Sequence, residues 1–206
     1  LTDHGEYLGD FGLVEKWPSG LDHCLLQNPV IFAGPGVAEA VVTDTFAEMV
    51  DILPTLLTAA EIKVKHTHFG RSLMTTLADP RVAHRDRAFS EGGFALHETA
   101  LLEQPKGEYQ QKGALQRTRP ELVGRAISLR TSTHTYVYRL YESDELYDRT
   151  ADPGEAHNLL VATGHEAIAE SLKADILAWL LETADTLPWQ ADPRFPAIPN
   201  GYHDLN

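Results

Sequence analysis

Cysteine is almost absent from this sequence: Cys24 is the only one among 206 residues. This count excludes an intramolecular disulfide framework and a metal site built from several cysteines. A chain without disulfides fits a reducing compartment. The first twenty residues also lack the basic and then apolar segments of a secretory signal. We therefore expect a cytoplasmic location.

Basic residues are scarce as well, with 17 Lys and Arg against 30 Asp and Glu and a formal net charge of −13. Nucleic-acid binding requires a basic surface that displaces counterions, and anionic membrane surfaces attract the same kind of surface. No apolar run approaches the ~18 residues of a membrane-spanning helix. Since 43% of the residues are hydrophobic, the composition predicts a soluble globular domain that binds neither nucleic acid nor membrane.

The sequence lacks an initiator methionine and opens on turn-forming chemistry, Asp3-His4-Gly5 after two residues. We expect that it is part of a longer chain. An adjacent carboxylate and imidazole at a strand end can both face one divalent cation, and mixed oxygen and nitrogen ligands suit several ions. Taken alone, the tripeptide is common, and a structural turn is the alternative interpretation.

The first third of the chain has a mixed α/β pattern. Residues 29–33 form a short apolar run typical of a buried strand, and residues 40–42 predict another. Apolar residues then recur at helical spacing over 46–60, where Pro54 favours two helices, with Asp51 capping the second.

The second half contains the clearest periodicities. Residues 87–91 predict a strand, 126–131 and 136–141 alternate as an antiparallel hairpin, and 145–147 can add a third strand to it. The polar stretch 98–121 predicts a mobile excursion.

A long helix is predicted over residues 165–183, preceded by a Thr163 and Glu166 capping box. Its apolar stripe should lie on the hairpin sheet. The stripe consists of Ile168, Leu172, Ile176, Trp179 and Leu180.

These patterns divide the chain into three parts. Residues 1–85 form an α/β portion, residues 86–186 a small antiparallel sheet with its helix, and residues 187–206 an extended Pro-rich tail.

Five stretches, in order, resemble motifs of sulfatases of the alkaline-phosphatase superfamily. They are residues 2–16 (TDHGEYLGDFGLVEK), 28–36 (NPVIFAGPG), 50–57 (VDILPTLL), 70–73 (GRSL) and 145–159, which contains ELYD, DPGE and NL. The resemblance covers about 160 residues. It implies an alkaline-phosphatase-like α/β fold, of which this chain would supply one edge of a mixed sheet and the C-terminal antiparallel sheet packed by one long helix.

The resemblance also implies roles for three residues. Asp3 and His4 would be metal ligands, and Lys16 would neutralise charge on the oxygens of a sulfate ester during cleavage. The metal would be Ca²⁺ as in most sulfatases, whereas an Asp-His pair also occurs in superfamily members that use Mn²⁺ or Zn²⁺. A solvated loop lysine is the alternative interpretation of Lys16.

Two positions depart from the family pattern, and the nucleophile segment is missing. Phe11 stands where sulfatases usually have His, and Thr135 where they usually have Lys. The family nucleophile is a formylglycine made in a Cys/Ser-x-Pro/Ala-x-Arg segment upstream of the Asp-His motif. Cys24 is followed by LLQN, which does not match this segment. We therefore interpret Cys24 as a packing residue. Two further Asp ligands implied by the family are missing too.

Three functions follow as hypotheses. The chain is part of a hydrolase of small-molecule sulfate esters, part of a phosphonate monoester or phosphodiester hydrolase, or a non-catalytic remnant that serves in assembly. Because a severed sheet edge would expose backbone and apolar side chains, we expect self-association or docking to a missing N-terminal half.

Four other residues are weaker candidates for a functional role. His66 and His68 could bind metal as alternate strand residues, although a polar loop is the better interpretation. His23 reads as a packing or surface histidine. Trp17 is the tryptophan that we expect nearest to a substrate, because it follows Lys16.

Overall fold

The computed structural model describes residues 1–64, 66–102 and 104–184. The predicted tail over 187–206 lies outside the described residues. The described part contains six strands and five α-helices. They are β1 (Tyr7–Leu8), β2 (Val14–Glu15), α1 (His23–Leu26), α2 (Ile52–Ala59), α3 (Met74–Ala78), β3 (Arg87–Gly92), α4 (Gln110–Thr118), β4 (Ala126–Thr131), β5 (His134–Arg139), β6 (Glu145–Asp148) and α5 (Glu166–Thr183).

The main sheet is antiparallel and has the order β3-β4-β5-β6. Leu129 pairs with Phe89 on one side and with Tyr136 on the other. The predicted hairpin, the strand over 87–91 and the third strand are therefore confirmed. The alternation of residues along β4 and β5 places every second side chain on one face, where a helix can cover it.

Helix α5 covers that face, as predicted, although Ile168 of the predicted stripe is 38% exposed and Ala169 lies in the core instead. The core between sheet and helix consists of Leu129, Tyr136, Leu146, Ala169, Leu172 and Ile176, each at most 8% exposed. Trp179 of α5 also stacks on Phe89 of β3, with ring centroids 4.8 Å apart. Burial of these side chains is the main source of stability in this half of the molecule.

The predicted capping box of α5 is wrong. The N-cap residue is His165, and no side chain caps the helix. The Glu166 carboxylate instead accepts a hydrogen bond from the backbone N–H of Gly164 at 2.9 Å. Gly164 has φ of +105°, and this turn carries Thr163 away from the first helical N–H groups.

The helical region over 46–60 is broken, as predicted, into a 3-10 turn (Met49–Asp51) and α2. Pro54 lies in the first turn of α2, where a missing N–H costs no intrahelical hydrogen bond. Asp51 precedes α2, but its carboxylate does not cap that helix. The predicted cap is wrong because the carboxylate is completely buried against Arg85.

The strands predicted over 29–33 and 40–42 are absent from the structure, where both runs are irregular. Ile31 is 85% exposed and Val42 is 95% exposed. An apolar run becomes a strand only when a neighbouring strand satisfies its N–H and C=O groups. Neither run has such a neighbour within the described part of the chain.

The stretch 98–121 contains short 3-10 turns and α4 rather than unstructured chain. Lys112 of α4 forms an ion pair with Glu15 of β2, with 2.7 Å between Nζ and Oε2. This contact places α4 beside the N-terminal loop.

Among the described helices, none is long and apolar enough to cross a membrane. The boundary at residues 85 and 86 stays a prediction.

Candidate functional site

The Asp3-His4-Gly5 tripeptide is held in place by α1 and the residues after it. The Gly5 N–H donates to the Leu25 carbonyl at 2.8 Å, and the Asn28 side chain donates to the Asp3 carbonyl at 3.3 Å. A Cβ at Gly5 would lie 1.9 Å from the Cys24 carbonyl oxygen. Only glycine permits this approach of two backbone segments.

Lys16 reaches the same point from the far end of the β1–β2 hairpin. Tyr7 pairs with Glu15 in this hairpin, which reverses the chain and returns it to the tripeptide. The Lys16 ammonium lies 3.3 Å from Nε2 of His4. His4 Nε2 lies 3.5 Å from Oδ2 of Asp3. The structure thus brings together all three residues singled out from the sequence, although their chemical roles stay predictions.

The hydrogen bonds of His4 determine which ring nitrogen is available. Nδ1 lies 2.7 Å from the Gly5 carbonyl oxygen, which can only accept, so Nδ1 carries the proton. In the neutral ring, Nε2 then presents its lone pair to the Lys16 ammonium, which can donate to it. An imidazole held through one nitrogen in this way is oriented for a cation at the other.

Asp3 is the exposed member of the group, with its side chain 88% accessible against 33% for His4. Hydrogen bonds from the backbone N–H groups of Asp3 and His4, and then the charges of His4 and Lys16, lower the pKa of the Asp3 carboxyl below its usual value. The carboxylate is therefore ionised at neutral pH and can bind a cation.

The pair Asp3 and His4 fits a divalent metal as a partial ligand set. Two ligand atoms 3.5 Å apart can share one ion, because bonds from a metal to oxygen or nitrogen are about 2.0–2.5 Å long. The described residues form no group of three or more His, Cys, Asp or Glu side chains that could hold a metal. A complete coordination shell would require ligands in addition to these two.

The other residues considered from the sequence lie in environments different from that of Asp3, His4 and Lys16. Phe11 packs edge-on against Tyr7 and His23, with centroids 6.3 Å apart in both pairs. His68 is bound through Nδ1 to the Gly70 carbonyl. Burial, and then the charges of Asp22 and Asp10, raise the pKa of the Cys24 thiol. A thiol held protonated in this way is a poor nucleophile.

Thr135, at the departure from the family pattern, is buried in an ionic network. Its hydroxyl donates to Glu155 at 2.6 Å. Arg130 donates to both carboxylate oxygens of Glu155, at 2.9 and 2.7 Å. Glu155 is 4% exposed and has a left-handed φ of +52°. Sequence reasoning missed this network because its members are 5 to 25 positions apart.

A second contact that the sequence did not reveal adjoins Lys16. Lys112 of α4 pairs with Glu15 and also donates to the Lys16 carbonyl. The Trp17 indole N–H donates to the Leu122 carbonyl at 2.7 Å. The charges along α4 do not predict the contacts of Lys112, because its partners Glu15 and Lys16 are about 100 residues away in the sequence.

A stability test addresses the packing under the site. We expect Gly5→Ala to lower the free energy of unfolding by about 1–3 kcal/mol, because the added methyl group forces α1 away from the tripeptide. Urea unfolding followed by circular dichroism measures the change. Gly154→Ala is the matched control, since its Cβ would meet nothing closer than 3.9 Å. Equal midpoints for both variants would contradict the close approach.

Comparison with known proteins gives a consistent result. No protein-family model matches the chain. It is 24% identical over 204 residues to YidJ of Escherichia coli, an uncharacterized sulfatase. This alignment covers 94% of the chain and 35% of YidJ. It is 25% identical over 185 residues to PehA of Trinickia caryophylli, a multifunctional alkaline phosphatase superfamily protein, with coverages of 89% and 34%.

Solved structures agree in both fold and sequence. A putative sulfatase from Bacteroides thetaiotaomicron superimposes with a TM-score of 0.67 at 25% identity, and a 2-O GAG sulfatase with 0.65 at 27% identity. Each match covers 93% of this chain and 38% of the other. The chain is thus similar in both sequence and fold to sulfatases of the alkaline-phosphatase-like superfamily.

These similarities confirm the resemblance inferred from the five motifs and the predicted fold class, a mixed α/β fold with the C-terminal antiparallel sheet. The chain spans about a third of the length of the curated relatives it matches. Similarity to this superfamily implies a divalent metal in general, without specifying the ion.

Proposed function

We propose that this chain is part of a hydrolase that cleaves sulfate esters, in which Asp3 and His4 bind a divalent metal and Lys16 contacts the sulfate group. The observation that carries the proposal is the position of His4 Nε2, which lies 3.3 Å from Lys16 Nζ and 3.5 Å from Asp3 Oδ2. A carboxylate, an imidazole lone pair and an ammonium at one point can together bind both a cation and an anion.

Each residue has a separate task in this proposal. Asp3 supplies negative charge and His4 a neutral nitrogen, with Nδ1 held by the Gly5 carbonyl. The bound metal would supply Lewis-acid chemistry. Lys16 neutralises charge that develops on the ester oxygens, where a fixed ammonium stabilises the transition state more than the ground state. The nucleophile, a formylglycine by family resemblance, is not supplied by Cys24.

Calcium is the proposed ion, by resemblance to most sulfatases. The mixed oxygen and nitrogen pair is also compatible with Mn²⁺ or Zn²⁺, because imidazole suits transition metals better than it suits Ca²⁺. Titration of the chain with each ion in turn would rank them.

A phosphonate monoester or phosphodiester hydrolase is the second candidate. It is favoured by the similarity to PehA, described as multifunctional, and by the imidazole ligand. A non-catalytic assembly role is the third, favoured by the two-ligand set of the described residues. Turnover of aryl sulfate, phosphate diester and phosphonate substrates with Ca²⁺ and then Mn²⁺ would separate these candidates.

Docking to a complementary N-terminal part of the fold is also proposed. Helix α2 exposes Leu53 at 48% and Leu56 at 55%, and Ile31 and Val42 of the preceding irregular segment are exposed as well. Apolar side chains so exposed are typical of an interface rather than of a free surface. Light scattering tests the proposal: the chain alone should self-associate, and a monodisperse monomer would contradict it.

The metal role has its own test. Asp3→Ala is expected to weaken binding of Ca²⁺ or Mn²⁺ about tenfold or more, because it removes the charged ligand. Isothermal titration calorimetry of the full chain measures the dissociation constant. Asp10→Ala removes an exposed carboxylate from the same loop and should leave the affinity unchanged. Equal affinities of the two variants would overturn the assignment of Asp3 as a ligand.

A further inference from the structure

Asp22 begins helix α1 as its N-cap residue, but its carboxylate does not cap that helix. Aspartate is among the residues most favoured at an N-cap, because its carboxylate can accept hydrogen bonds from the first helical N–H groups. Here the carboxylate instead accepts a hydrogen bond from the Tyr7 hydroxyl of β1. The side-chain interaction that α1 forgoes is therefore made with a strand of the β1–β2 hairpin.

The Tyr7 hydroxyl lies in a tightly packed environment. Tyr7 is 1% exposed, and a Cβ at Gly20 would lie 2.7 Å from its hydroxyl and 2.6 Å from the Leu25 side chain. Burial, and then the hydrogen bond to Asp22 and the charge of Asp22, raise the pKa of the Tyr7 hydroxyl. The hydroxyl is therefore protonated at neutral pH and is a permanent donor to Asp22.

Tyr7 is connected to Lys16 through the hairpin. Tyr7 on β1 pairs with Glu15 on β2, and Lys16 is the next residue. The position of the Tyr7 ring therefore determines where the strand delivers Lys16. The Lys16 carbonyl is also held by Lys112 of α4, so removal of the Tyr7 hydroxyl should shift the strand without detaching it.

Asp22 is connected to His4 through α1. The Leu25 carbonyl of this helix accepts a hydrogen bond from the Gly5 N–H at 2.8 Å, and His4 precedes Gly5. One side-chain hydrogen bond thus joins the strand that leads to Lys16 with the helix that holds His4. The Lys16 ammonium and His4 Nε2, 3.3 Å apart, lie at the two ends of this connection.

We infer that Tyr7 and Asp22 are positioning residues whose hydrogen bond fixes the Lys16 ammonium against the His4 ring. The inference rests on the proposed function for the role of Lys16 as a contact of the sulfate group. The connection from Tyr7 through Asp22 to His4 does not depend on that role. Neither residue contacts the reacting atoms, and both act through the placement of Lys16.

Tyr7→Phe tests this inference, because it removes the hydroxyl and keeps the ring. In the full chain we expect it to weaken the nuclear Overhauser effect between the Lys16 side chain and the His4 ring. We also expect sulfate, titrated by NMR, to bind about three- to tenfold more weakly, the usual contribution of one hydrogen bond. Tyr141→Phe is the matched control, since it removes a tyrosine hydroxyl that accepts from the Leu96 N–H outside the site. It should leave both readouts unchanged.

Variants of Asp22 distinguish positioning from a general loss of structure. Asp22→Ala should reproduce both effects of Tyr7→Phe, whereas Asp22→Asn keeps an oxygen acceptor for the Tyr7 hydroxyl and should retain most of the Overhauser effect and of the sulfate affinity. The double variant of Tyr7→Phe with Asp22→Ala should be no worse than either single variant, because both remove the same hydrogen bond.

The outcomes separate this inference from the proposed function. If Tyr7→Phe matches Tyr141→Phe in both readouts, or if Asp22→Asn and Asp22→Ala are impaired equally, the inference is overturned whatever Lys16→Ala shows. If Lys16→Ala binds sulfate as the parent does, the proposed sulfate contact fails. A weakened Overhauser effect in Tyr7→Phe and Asp22→Ala, retained in Asp22→Asn, would still support the positioning role.

Discussion

Asp51→Asn is expected to lower the free energy of unfolding by about 3–5 kcal/mol, the usual cost of breaking a buried ion pair. The Asp51 side chain is fully buried and accepts hydrogen bonds from Arg85 Nε and from the Arg71 N–H, at 2.8 and 2.7 Å. It also contacts His84 and the Glu48 N–H. An asparagine of the same shape removes the direct charge partner of the buried Arg85, which keeps only the longer contact from its Nη2 to the Glu48 carboxylate at 3.3 Å.

The pH dependence of stability gives a second measurement on Asp51. Burial raises the pKa of this carboxyl, but the hydrogen bonds from Arg85 and from two backbone N–H groups outweigh it and lower the pKa to about 2, from the usual 3.8. A group with a lowered pKa in the folded state stabilises the fold above its unfolded pKa. The contribution should therefore be lost as the pH falls from about 4 towards 2, and Asp51→Asn should not show this loss.

The control for Asp51 is an exposed carboxylate with its own arginine. Asp79 pairs with Arg81 at 2.8 Å, but the Arg81 side chain is 89% accessible. Exposed pairs contribute at most about 1 kcal/mol, so Asp79→Asn should shift the urea midpoint only slightly. Similar shifts for Asp51→Asn and Asp79→Asn would mean that burial does not distinguish the two pairs, contrary to the structure.

Glu155→Gln is expected to have an effect of similar size, about 3–5 kcal/mol. The carboxylate neutralises Arg130, which is 12% accessible, and Arg149 is a second cation 3.7 Å away. A neutral amide cannot match either charge. It can also offer only one oxygen acceptor, where Thr135 and Arg130 now donate to the carboxylate.

Thermal unfolding monitored by circular dichroism measures this second effect. Glu121→Gln serves as the control, because Glu121 pairs with Arg119 at the surface, where the arginine side chain is 58% accessible. If Glu155→Gln were as stable as Glu121→Gln, the buried network would contribute nothing net. The left-handed backbone of Glu155 would then have no side-chain interaction to offset its strain.

Asp51 and Glu155 lie in two of the five family motifs, but neither is part of the candidate site. Asp51 belongs to the stretch over 50–57, and Glu155 to the stretch over 145–159. Both were recognised by resemblance to sulfatases, and both are buried ion-pair centres far along the chain from Asp3 and His4. In this chain both of these motifs contribute to the stability of the fold, whereas the motif over 2–16 carries the candidate chemistry.

The candidate site was largely predictable because its residues lie on one short hairpin. Asp3 and His4 are adjacent, and Lys16 returns to them through the pairing of Tyr7 with Glu15. The contacts beside it were not predictable, because Lys112 and Leu122 lie about 100 residues from Glu15 and Trp17, which they contact. Nothing in the polar stretch over 98–121 indicates that α4 lies there.

The sequence by itself determined the elements whose information is local. The alternation along β4 and β5 and the apolar stripe of α5 predict those elements and their contact, because each pattern lies within its own element. Tertiary structure alone decided the rest. Residues 29–33 read as a strand but lack a pairing partner in the described structure, and Asp51 reads as a helix cap but is buried against Arg85. Strand pairing and the pairing of buried charges depend on groups distant in the chain, and no local pattern records them.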